Sequence, residues 1–379
     1  SSAASDVYKR QTEYYGNPSS VYNFAQKSKM AIEDAREIIA DSIGAAKSNE
    51  IYFTGGGSES DNWALKSAAF GLRNKGNHII TTKIEHHAIL NTCAYLEKNG
   101  FEITYLDVDS EGFVSLEDVE NAITEKTILI SVMFANNEIG TIEPVCEIGE
   151  IAHKHGILFH TDAVQAMCHV PINVTEMNID LLSASAHKFH GPKGVGFMYM
   201  KNSAKLEPFI HGGAQERARR AGTSNVPGIV GMGQAVKLAL STLDKDTHTI
   251  INMRNYIVDR ILGEIPDVTF DGPCIDANAV SAGSPAGSLK RLPSNMHFCF
   301  KDVSGDSLLI MLDMNGICAS SGSACAAGSI DPSHVLLAIG RSKGETKGAL
   351  RLSIDKNLTK EDADYAIDAL KAAVARLRG

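Results

Sequence analysis

The sequence has no CxxC pair, no apolar run approaching a membrane span, no secretory signal, no excess of positive charge and no internal repeat. Each absence excludes something. The 7 cysteines are scattered, which argues against a disulfide framework or a zinc site and fits reduced thiols. With no membrane-length run and no leader pattern, no membrane partner is expected, and the localisation read is cytoplasmic. A net charge of −9 argues against nucleic acid as a partner. Neither a Walker A loop nor a GxGxxG fingerprint occurs, which weakens nucleotide readings. The close histidine pairs, His86 with His87 and His187 with His190, lack a supporting cluster of carboxylates or cysteines, so no metal site is expected.

What is present is a soluble globular composition, 44% hydrophobic and 21% charged over 379 residues. That length predicts two domains. Residues 1–11 fit no element and are read as an unstructured or non-native tail. From Ile51 the chain alternates short apolar strands with helices. The strands are Ile51–Thr54, His78–Thr82, Ile103–Leu106, Thr127–Phe134, Ile157–Thr161, Ile179–Ser183 and Val195–Met200. Continuous apolar strands point to an α/β fold, a mostly parallel sheet between helices, over residues 12–246. Two helical patterns follow, from Gly228 and from Thr247. Residues 247–379 read as a smaller α+β domain with strands Val268–Phe270, Asn295–Phe300 and Ala349–Ile354 and a closing helix Lys360–Leu377. Ser281–Ser288 reads as a flexible loop.

Several sites carry chemistry. Lys188, in SAHKFHGPKG, leaves a buried strand in a setting of small residues. Desolvation lowers a lysine's pKa and makes its amine nucleophilic toward a carbonyl; the plain alternative is a solvated turn lysine. Thr54-Gly-Gly-Gly-Ser58 hands a strand to a helix, where free N–H groups favour an anion; the alternative is a glycine turn capped by Ser58. Asp162 ends a strand, placed to hold a protonated ring nitrogen or to cap the next helix. His86, in EHHAIL, could stack on a planar cofactor and help move protons. Cys325 sits in SSGSACAAGS, a loop too small to fill a core, as a mobile nucleophile or as a structural cysteine. Arg351, on a strand, needs an anionic partner, either a substrate carboxylate or a structural acid.

In order and spacing, the segments GNPSS, FTGGGSESDN, TTKIEHHAIL, NNEIGTIEP, FHTDAVQ, SAHKFHGPKGVG, RRAGTSNVPGIVGMG, SSGSAC and LRLSI resemble the class V, fold-type I pyridoxal-phosphate enzymes. More narrowly, they resemble the cysteine desulfurases of the NifS/IscS type. The resemblance implies pyridoxal 5'-phosphate as cofactor, L-cysteine as substrate, a homodimer, and a sulfur-acceptor protein such as an iron–sulfur scaffold. By the same resemblance Lys188 carries the cofactor, His86 stacks on its ring, Asp162 pairs with the ring nitrogen and Gln165 with the phenolic oxygen. Gly57, Ser58, Ser185 and His187 hold the phosphate, joined by Thr223 from the other subunit. Asn137 and Arg351 take the substrate carboxylate, and Cys325 takes the sulfur as a persulfide. A selenocysteine lyase, another class V aminotransferase or lyase, and a non-catalytic sulfur-transfer scaffold are the alternatives. The SSGSAC loop, which an aminotransferase does not need, separates the first reading from the second. The chain departs from the family pattern in four places. Nothing in 1–11 matches the family's opening strand, so a shortened N-terminus is expected. Tyr22 replaces a histidine, Gly57-Ser58 replaces Ala-Thr, and Ser281–Ser288 reads as an insertion.

Overall fold

The computed structural model describes residues 15–204, 206–275, 289–322 and 332–379. Seven strands form one sheet: β1 Ile51–Thr54, β2 His78–Thr82, β3 Glu102–Leu106, β4 Thr127–Ser131, β5 Leu158–Asp162, β6 Leu181–Ser185 and β7 Gly196–Met200, in the order β1-β7-β6-β5-β4-β2-β3. β2, β3, β4, β5 and β6 pair in parallel, and β7 runs antiparallel to both β6 and β1. β1 therefore points the same way as the parallel set. The carboxyl ends of β1, β2, β5 and β6 share one edge of the sheet, where open α/β sheets bind ligands.

The expected strands are there, with one difference. The apolar stretch from Thr127 leaves the ladder after Ser131, although Val132 to Phe134 stay buried. An apolar run reports burial and not pairing, so the pattern overshoots. Helix Gly57–Gly71 packs across β1, β7, β6, β5 and β4 and seats Trp63, fully buried. Trp63 stands edge-on to Tyr52, stacks on Phe209 and donates from its indole N–H to the Glu207 carbonyl at 3.1 Å.

The described residues fall into two compact units, those within 1–106, 116–134 and 144–243 in one, and those within 107–115, 135–143 and 244–379 in the other. The second unit is built on an antiparallel sheet, β8 Val268–Phe270, β9 Asn295–Phe300 and β10 Ala349–Ser353, in the order β10-β9-β8. Helices Leu243–Glu264, Gly305–Asp313 and Lys360–Arg378 bury Ile257, Ile261, Leu308, Leu312, Ile367 and Leu370 with the sheet's Phe298 and Phe300. Among the described residues no single helix is long and apolar enough to cross a membrane.

The two short segments of the second unit are fastened by polar contacts. Asn295 donates from Nδ2 to the Glu138 carbonyl at 3.0 Å, and the Val114 N–H donates to Glu143 at 3.0 Å. Burial pushes the Glu143 carboxyl from its ordinary 4.5 up to about 8, against the opposing Val114 bond. The folded state therefore binds a proton that the unfolded chain has released, and stability falls as pH rises from 4.5 to about 8. Glu143→Gln keeps an acceptor for Val114 without the ionisation. In urea unfolding, the midpoint difference between variant and wild type should move in the variant's favour between pH 5 and pH 9, on the order of a few kcal/mol.

Candidate active site

The sheet edge collects most of the residues singled out in the sequence. β1 delivers Gly55 to Gly57, and Gly56 is the cap residue of helix Gly57–Gly71, with φ +151° and no side-chain cap. The first helical N–H groups have no intrahelical carbonyl to bond, so they and the helix dipole favour an anion. The approach is too close for side chains. A Cβ on Gly196 would lie 2.4 Å from the Ala184 carbonyl oxygen and 2.8 Å from the Gly56 Cα. A Cβ on Gly56 would sit 3.6 Å from Ser185 Oγ, which places Ser185 at the rim of this cup. Ser58 is exposed at the same helix end.

β5 ends at Asp162, buried, whose Oδ1 accepts the Val164 N–H at 2.9 Å. The chain then turns through Gln165 without starting a helix, so the plain capping role for Asp162 does not apply. Burial raises the Asp162 carboxyl above its usual range, opposed by the Val164 bond and by the neighbouring His86 and Lys188. β2 runs into Glu85 and His86. His86 caps helix His87–Glu97, with Nδ1 accepting the Ala88 N–H at 3.1 Å, so its proton belongs on Nε2 when the ring is neutral. The cap uses Nδ1, which leaves Nε2 to meet a ligand. β6 ends at Ser185 and passes into the 3₁₀ turn Ala186–Phe189, which carries His187 and Lys188. His190 closes the turn with φ +61°, and buried Phe189 anchors it. The half-buried His169 ring contacts the Lys188 carbonyl at 3.0 Å and fixes the turn from behind. Lys188 thus stands on a braced turn near an acidic group, as its imine chemistry would need.

Thr223 is exposed, on a segment tied to the cup by Arg220, which grips Glu59 at 2.8 and 3.0 Å. Upstream, Glu216, Arg217 and Ala218 all hold positive φ. Glu216 accepts from Arg36 at 2.8 and 3.0 Å and from the Phe53 N–H at 3.1 Å, which holds this costly backbone in place.

In the second unit, Arg351 on β10 donates to the Asn137 carbonyl at 2.8 Å, so the two expected carboxylate contacts are neighbours. Cys325 lies outside the described residues, as does Ser281–Ser288.

Sequence reasoning missed a group beneath Asp162. Asp61, from the segment SESDN, projects from the buried face of helix Gly57–Gly71, and an oxygen of each of Asp61 and Asp162 lies within 4.8 Å of the other and of a His86 ring nitrogen. The available signal was a polar Ser60-Asp61 pair on the helix face that also buries Trp63, Ala64 and Leu65. As a whole, the first unit offers an anion cup, a buried carboxylate pair and a lysine. It can hold a ligand with an anionic end, a cationic ring nitrogen and a carbonyl carbon.

Comparison with known proteins agrees with this chemistry. The family described as "Aminotransferase class-V" matches residues 2–366. A cysteine desulfurase IscS of Clostridium botulinum is 53% identical over 97% of this chain and 89% of its own length. A cysteine desulfurase IscS of Methanosarcina thermophila is 51% identical over 97% and 87%. Among solved structures, a NifS-like protein superposes with a TM-score of 0.89 at 35% identity, covering 99% of this chain and 96% of the other. The protein SspA in complex with cysteine gives 0.79 at 37%, covering 94% and 96%.

Proposed function

Because the chain belongs to the class V aminotransferase family, we propose that it is a cysteine desulfurase. It takes sulfur from L-cysteine, releases L-alanine and keeps the sulfur as a persulfide on Cys325 for an acceptor such as an iron–sulfur scaffold. The 53% identity to a cysteine desulfurase over 97% of the chain carries this reading. The meeting of Lys188, Asp162 and His86 at one sheet edge supports it.

The donor set fits pyridoxal phosphate, which when bound supplies an electron sink for the substrate's α-carbon. Lys188 Nζ would carry it covalently, and Asp162 would hold the ring-nitrogen proton. His86 would cover the ring and Gln165 bond its phenolic oxygen. Gly57, Ser58, Ser185 and His187 would hold the phosphate, with Thr223 reaching over from a second copy in a homodimer. Arg351 and Asn137 orient the substrate carboxylate, the guanidinium by paired N–H bonds. Lys188 Nζ would also be the group to accept the α-proton. The Cys325 thiolate then attacks the substrate sulfur: an S–S bond forms, the substrate's Cβ–S bond breaks, and its electron pair ends with a proton on the departing alanine. We place this chemistry in the cytoplasm, in keeping with the free thiols of Cys93, Cys146, Cys168, Cys274, Cys299 and Cys318.

The test is reconstitution with pyridoxal phosphate, followed by L-cysteine and a thiol reductant. Alanine and sulfide should appear in equal amounts, and Cys325→Ser should hold the cofactor's visible absorption yet release neither. A wild type that loads the cofactor but makes no alanine from L-cysteine overturns the reading. A strong preference for L-selenocysteine moves it to a selenocysteine lyase.

A further inference from the structure

Asp61 is 1% exposed, and its Oδ1 has no hydrogen-bond partner among the described residues. Its surroundings explain what state that atom is in. The acidic groups facing it are Asp162 at the end of β5 and Glu85 after β2, and a His86 ring nitrogen lies within 4.8 Å of it. The ring on its other side, His160 on β5, is fully buried and reaches no closer than 3.8 Å from Nε2 to Oδ1. His160 is neutral, because burial lowers its pKa to about 3. It is instead held by two hydroxyls, Ser131 Oγ at 2.9 Å on Nδ1 and Ser183 Oγ at 3.0 Å on Nε2. Ser183 beside it lowers the proton affinity of Asp61 in part. These bonds form one directed chain when Ser131 donates to His160 Nδ1, Nε2–H donates to Ser183, and the Ser183 hydroxyl donates to Asp61. Such a chain brings no positive charge to Asp61. Asp162 differs: His86 and Lys188 both lower its proton affinity.

Two carboxyl groups this close and this dry cannot both be ionised without a counter-charge. Lys188 acts on Asp162 and not on Asp61, whereas the His86 ring nitrogen lies within 4.8 Å of an oxygen of each. We propose that Asp61 is a positioning residue of the site: a neutral acid that holds a proton on Oδ1 against Asp162, leaving Asp162 as the single carboxylate available to a ring nitrogen. Burial, and then the neighbouring Asp162 charge, push the Asp61 carboxyl well above its ordinary value, in the same direction as the geometry. With the proton on Asp162 instead, the carboxyl at the ligand-facing edge would be neutral, and its hold on a protonated ring would be weak. This assignment rests on the proposed cofactor chemistry for its purpose. The proton's location can be read without it.

The experiment is infrared spectroscopy at neutral pH on protein isotope-labelled at its aspartate carboxyl carbons, with and without pyridoxal phosphate. Labelling separates aspartate from Glu85 and Glu143. Asp271, the other aspartate fully buried among the described residues, is ionised, since against the opposing burial its bonds to His297 and Arg341 hold its carboxyl below the usual range. The expected result is a protonated-carboxyl band in wild type in both states, lost in Asp61→Asn and kept in Asp162→Asn. Absence of the band in wild type overturns the proposal, as does its loss in Asp162→Asn with retention in Asp61→Asn. If Asp61→Asn does not fold, wild type and Asp162→Asn decide it: the band must survive the second substitution. A protein that shows the band but makes no alanine refutes the desulfurase reading and leaves the carboxyl pair standing.

Discussion

Lys188→Ala should abolish alanine formation from L-cysteine, with kcat/KM falling at least about a thousandfold, because one substitution removes both the covalent attachment and a proton carrier. The turn that presents Lys188 does not depend on its side chain. It is set by the His190 left-handed residue, the Gly191 N–H to Ala186 carbonyl bond at 2.9 Å and the burial of Phe189. Circular dichroism and the urea midpoint should therefore match wild type while activity disappears. Retention of more than about a tenth of wild-type activity would remove Lys188 from the chemistry. A loss accompanied by unfolding would trace the defect to the turn.

Asp162→Asn is the second large effect. The amide oxygen can still accept the Val164 N–H bond that fixes the turn after β5, so the backbone is expected to hold. What disappears is the negative charge. A charge-assisted hydrogen bond is worth up to about 3 kcal/mol, and its loss corresponds to about a hundredfold in rate or affinity. The deficit should lie mainly in kcat, with KM for L-cysteine little changed, because the substrate carboxylate is assigned to Arg351 and Asn137. A change confined to KM would contradict the role given to Asp162.

How much of this was legible in the chain depends on where each signal lies. Asp162, His86 and Lys188 each follow a short apolar run, so local pattern alone put them at strand ends. The parallel direction of those strands then brought them to one edge. The order of the sheet was not legible. β7 turns back beside β6 and also pairs with β1, the first strand, because Gly196 lets the Gly56 backbone come close, and no single segment announces such a contact. Asp61 was hidden for a related reason. A lone acid on a helix face that also carries Trp63 and Leu65 resembles a solvated residue until His160 and Ser183 from two distant strands close around it. Helix Gly305–Asp313 escaped because it is short, although Ser304 caps it by accepting the Ser307 N–H at 3.4 Å.

The decisive step of the proposed reaction is the passage of sulfur from L-cysteine to Cys325. The most direct measurement is a single turnover of the reconstituted protein with L-cysteine, without reductant, followed by peptide mass spectrometry. The peptide carrying Cys325 should gain one sulfur atom, in step with one alanine released, and reductant should remove it. Alanine formed with no added sulfur on that peptide, or sulfur found on Cys318 or Cys146 in its place, would contradict it.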